Sequence, residues 1–154
     1  MAYTSAQIVQ AVTIPSGVLQ VVSATTSTQI TSSSTTAADT GLTATITPTS
    51  ASNNILVVVQ QNGGLKTSAN ASSGLTLRLL RGATIISTFA IDCGYTATAL
   101  ENHVGTIGTS YLDSPSTTSA TTYKTTFANG VAAAAVRLQE SGTTSTITLY
   151  EIKP

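Results

Sequence analysis

The chain has 154 residues, six Lys and Arg against six Asp and Glu, and only 8% charged residues, where an ordinary soluble domain carries about 25%. That length suits one domain with one core, and the balanced, sparse charge leaves no basic footprint for nucleic acid or an anionic membrane. About one residue in three is Ser or Thr, which disfavours helices, where these side chains compete for backbone partners, and suits strands and turns.

Met1 to Ile14 spreads Tyr3, Ile8, Val9 and Val12 among polar residues before a Pro15-Ser16-Gly17 break. The segment reads either as a frayed terminus or as an arm that orders against a neighbouring subunit, because exposed apolar residues at this density usually have a partner. No Lys or Arg precedes its apolar residues, so neither a signal peptide nor a membrane span is expected and synthesis in a cytoplasm is. Residues 1–16 are therefore taken as an N-terminal docking arm and 17–154 as the folded domain.

Val18 to Val22 predicts a short strand, and the Ser/Thr-rich run Ser23 to Thr40 a loop or ragged edge strand. Gly41 opens a clean alternation with Leu42, Ala44 and Ile46 on one side and Thr43, Thr45 and Thr47 on the other. Ile55 to Val59 is apolar on both faces, the pattern of a central strand covered on each side. Asn62-Gly63-Gly64 predicts a turn, Lys66 to Ser73 an exposed loop, and Leu75 to Ala90 a hairpin about Arg81-Gly82-Ala83. Val104 to Leu112 is a further strand.

Tyr111 to Phe127 then reads as a strand end, a Ser/Pro loop and a second strand starting near Thr121, since Pro115 cannot donate to a ladder. Ala132 to Glu140 is a helix former by propensity, bounded by Gly130 and Gly142. It is assigned as a strand because it lies between two β segments, with a two-turn helix as the alternative. Ser145 to Ile152 closes the chain as a strand. Eight to ten short strands separated by turn residues indicate an all-β sandwich, best described as a single jelly roll.

The inventory for chemistry is thin. His103 is the single imidazole and Cys93 the single thiol, with no spacing that would build a zinc site. Asp92 and Cys93 are adjacent, so on a strand they point to opposite faces. Gly108 to Leu112 has no nucleophile elbow, and Gly63-Gly64-Leu65-Lys66-Thr67 departs from a phosphate loop because Leu65 separates the Gly from the Lys. No enzyme activity, cofactor or metal is expected, and Cys93 reads as a small hydrophobe. Tyr95, Tyr111, Tyr123, Phe127 and Tyr150 either pack in the core or anchor an interface.

The motifs Y-L-D-S-P-S-T-T-S-A-T-T-Y-K-T-T-F (Tyr111 to Phe127) and S-T-I-T-L-Y-E-I (Ser145 to Ile152) come after G-V-L-Q-V-V, G-L-T-A-T-I-T-P and I-L-V-V-V-Q, which begin at Gly17, Gly41 and Ile55. In this order they resemble small virion proteins of tailed bacteriophages, with a trimeric jelly roll of the tumour-necrosis-factor-like kind. The resemblance implies a homotrimer on the virion, as a capsid decoration or head fibre docked on the major capsid protein or another shell protein. Tyr3, Ile8, Val9 and Val12 would then dock, and Tyr123 and Tyr150 would meet other subunits. The alternative it implies is a tail-fibre tip adsorbing to host surface glycans through the loops Lys66 to Ser73 and Asp113 to Ala120.

Overall fold

The computed structural model describes residues 17–68, 70–132 and 134–154, so Tyr3, Ile8, Val9 and Val12 of the expected arm lie outside the described residues. The strands are β1 (Val18–Thr26), β2 (Ile30–Ser32), β3 (Ala38–Ile46), β4 (Asn54–Lys66) and β5 (Leu75–Arg81), then β6 (Thr84–Cys93), β7 (Asn102–Asp113), β8 (Thr121–Asn129), β9 (Val136–Leu138) and β10 (Ser145–Ile152). They form two antiparallel sheets. One runs β1-β10-β4-β7, with the far half of β4 also pairing β9 and β9 pairing β2, and the other runs β3-β8-β5-β6.

The pairs β5/β6, β4/β7, β3/β8 and β1/β10 are nested along the chain. Such nesting is that of one long hairpin rolled into a sandwich, the jelly roll that the strand count and turn spacing predict. Alternation sets the core. Leu42, Ala44 and Ile46 of β3 face Ile55, Val57 and Val59 of β4 together with Ile147 and Leu149 of β10, all buried. A second cluster joins Leu75, Leu77, Phe127, Val136 and Leu138 at the other end, with half-buried Cys93 packed against it.

The hairpin about Gly82 and the strand, loop and strand of Tyr111 to Phe127 are present as expected, the latter as β7, residues 114–120 and β8. Its loop carries the chain from one sheet to the other. Ser23 to Thr40 is more ordered than its composition suggests, since β1 extends to Thr26 and the short β2 precedes β3. Asn62-Gly63-Gly64 is not a turn. β4 continues through it to Lys66 with register shifts against β7 on both sides of Gly64. Gly63 has φ +64°, and a Cβ there would run into the Thr143 hydroxyl and the Glu140 amide, so the missing side chain lets β4 pass beneath the 3-10 turn Glu140–Gly142.

Lys66 does not open an exposed loop. It is fully buried, and its ammonium donates to the Ala71 carbonyl and the Thr96 hydroxyl. Among the described residues, the Ala132 to Glu140 segment contributes the three-residue strand β9, where pairing with β2 and β4 overrides local helix propensity, and at Glu140 the start of the 3-10 turn.

Candidate functional site: the outer face of the sheet carrying β1, β10, β4 and β7

The sandwich interior is filled by side chains, so the candidate surfaces lie outside it. On the outer face of β1-β10-β4-β7 the register aligns Val21 with Tyr150, Tyr150 with Leu56 and Leu56 with Leu112. This makes one apolar row across four strands. Val21 is 54% and Leu112 57% exposed, while Tyr150 and Leu56 are half-buried between them. Val18, Leu19 and Ile152 extend the row at one end and Val58 adds to it on the other side.

Across the stretch where β4 residues 54–60 pair with both neighbours, the remaining outward positions are Ser23, Thr25, Thr146, Thr148, Asn54, Gln60, Gly108 and Ser110, none of which ionises; the exposed His103 lies farther along β7. β4 thus carries the both-face apolar pattern of a doubly covered strand, yet among the described residues only its inner face is fully buried. An apolar patch of this extent rimmed by polar residues is the usual mark of a contact surface.

Of the two tyrosines expected to meet other subunits, Tyr150 lies half-buried in that row, between Val21 and Leu56. Tyr123 does not. It is fully buried, and its hydroxyl donates to Asp113 Oδ2 at 2.6 Å. Having no accessible surface, it cannot touch a second subunit from this conformation. Burial, with the hydrogen bond and charge of Asp113, drives the Tyr123 phenol pKa far above its ordinary value, and the Arg81 guanidinium opposes this in part. Arg81 Nη1 also donates to both oxygens of Asp113 at 2.9 Å. The triad Arg81, Asp113 and Tyr123 therefore ties β5, β7 and β8 together.

A second carboxylate acts similarly at the other margin. Glu151 on β10 is buried and accepts from Gln20 Nε2 at 2.6 Å, the Thr49 amide at 2.6 Å, the Thr49 hydroxyl at 2.8 Å and Asn53 Nδ2 at 2.6 Å. Burial raises its pKa, but the bonds from Asn53, Gln20 and Thr49 together outweigh this and bring it from 4.5 down to about 2. The carboxylate joins β1, β10 and the β3–β4 connection, and holds the first two strands of the apolar face.

Two clefts open elsewhere on the described surface. One of about 420 Å³ lies between Asn62–Gly64, His103, Gly105, Thr106 and the Glu140–Thr143 turn. There the His103 ring is 3.1 Å from Glu101 Oε1, both side chains being more than half exposed. The other, about 380 Å³, is lined by Arg81, Gly82, Pro115, Thr117 and Ala120 to Thr122. It includes part of the Asp113 to Ala120 loop expected to meet glycans. Among the described residues, no three of His, Cys, Asp and Glu come together as a metal set.

The contacts of Leu56, Leu112 and Val21 are not readable from any single motif. Their signal was the second apolar face of Ile55 to Val59, which becomes a surface only when the register sets Leu112 and Tyr150 beside it.

Among solved structures, the fold is similar to that of the infectious bursal disease virus VP2 subviral particle, with TM-score 0.53 and 12% identity over 87% of this chain and 32% of that one. A structure of the Gt strain of the same virus gives TM-score 0.48 and 13% identity over 88% and 38%. The first likeness shows a shared sandwich fold, and this chain spans about a third of the VP2 chain's length. No protein-family model and no curated protein matches the sequence.

Proposed function

We propose that the protein is a non-enzymatic bacteriophage virion component, a capsid decoration or head-fibre subunit that assembles as a trimer on the particle. The observation that carries this reading is the uncharged apolar row Val21, Tyr150, Leu56 and Leu112, which no described residue fully covers, crossing a strand whose sequence is built for cover on both faces. Burying that row against identical copies stabilises the assembly by removing apolar surface from water. A formal net charge of zero leaves no long-range repulsion to oppose it. The sandwich fold, shared with a protein of a viral particle, supports a place in the virion, and residues 1–16 would anchor the trimer to the shell.

A second reading is favoured by the cleft at Pro115 and Thr117. There a tail-fibre tip would hold a host glycan by weak, repeated contacts. Labelling intact particles with antibody against the protein separates the two: we expect signal over the head, and signal confined to the tail would overturn the decoration role.

A further inference from the structure

Among the described residues the sandwich has several free strand edges, most of them protected against pairing along at least part of their length. β6 breaks register with β5 three times and holds Asp92 at φ 51°. β3 has a register break between Asp39 and Thr43 and a Gly at φ +81°, with Asp39 paired to Lys124 at 2.9 Å. β7 contains Gly105 at φ +78° and is set off by two register shifts, and β2 is only three residues long. Bulges, charges and shortness are the devices by which sheets prevent edge-to-edge association.

β1 has none of them from Gln20 to Thr26. Its pairing with β10 is unbroken over those seven positions, and it holds no charge, proline or glycine. Among the described residues, β10 is the sole strand that hydrogen-bonds to it, β3 of the facing sheet lies close by, and no loop bonds to its outer backbone groups.

We infer that the edge of β1 pairs antiparallel with β1 of a second copy across a twofold axis, joining two six-stranded sheets into one of twelve. A symmetric edge must be self-complementary, and one without ionised side chains sets no like charges opposite each other. Seven residues at about 3.4 Å and a sheet thickness of about 10 Å give on the order of 500 Å² buried in total. A stable complex buries roughly 1,200 Å² or more. The pair is therefore weak by itself and becomes effective between copies already gathered on an array. The β1 edge borders the face carrying the apolar row, whose outward positions include Ser23 and Thr25, so the test separates the two contacts with a variant outside β1.

Hydrogen exchange of the full-length chain, followed at the β1 amides at low and high protein concentration, tests it. The amides of residues 20–26 that do not pair with β10 should exchange fast when dilute and slowly when concentrated, and Ser23→Lys with Thr25→Lys should abolish the difference. Fast exchange at every concentration would overturn the pairing. So would slow exchange at every concentration, since the chain's own residues 1–16 would then occupy the edge. Leu112→Lys, which charges the apolar face and leaves β1 untouched, should keep the concentration dependence, separating this contact from the trimer contact.

Discussion

Replacing Asp113 by Ala should lower the stability of the protein by about 3 kcal/mol, because it leaves a buried phenol and a partly buried guanidinium without their shared acceptor. Asp113 takes two bonds from Arg81 at 2.9 Å and one from Tyr123 at 2.6 Å. The Arg81 side chain is 34% exposed and regains some hydration, which holds the loss below that of a wholly buried pair. Thermal unfolding of Asp113→Ala should shift down by roughly 10 °C for a domain of this size. Tyr123→Phe removes only one of the three bonds and should cost about 1 to 2 kcal/mol. Equal losses for the two variants would mean that the guanidinium contributes nothing.

The second large effect concerns Glu151. Glu151→Ala deprives the Thr49 amide and hydroxyl, Asn53 and Gln20 of their acceptor, and a loss of about 3 kcal/mol at neutral pH is expected. The wild type should show a matching acid transition. Its folded carboxyl titrates near 2 against an ordinary 4.5, so the folded state binds fewer protons than the unfolded state between these values. The stabilisation is complete above about 4.5 and is lost as pH falls toward 2. Denaturant titrations across that window should show a steeper fall for the wild type than for Glu151→Gln. Parallel curves would contradict the role given to this carboxylate.

How far the chain could be read in advance depended on the range of the interactions involved. Strands set by local alternation, such as Leu42 to Ile46, and turns set by local chemistry, such as Gly82, were legible because period and turn residues are properties of neighbours in sequence. Asn62-Gly63-Gly64 misled for the converse reason. Its glycines serve the close approach of the Glu140 turn, contributed from far along the chain, and a bulge uses the same residues as a turn.

Lys66 and Tyr123 were misread because charge and a hydroxyl suggest solvent or an interface, whereas here both polar ends find acceptors inside. The apolar face was half legible. Tyr150 stood out, but Val21, Leu56 and Leu112 become its neighbours only through the register of β1, β10, β4 and β7.

The central claim, that this face joins identical copies, is tested most directly by the mass of the full-length protein in solution, measured by light scattering across a wide range of concentration. The account predicts a trimer for the wild type and a folded monomer for Leu56→Lys, whose ammonium would be driven into the apolar row. A wild-type protein that stays monomeric at the highest concentration, or a Leu56→Lys trimer indistinguishable from it, would contradict the account.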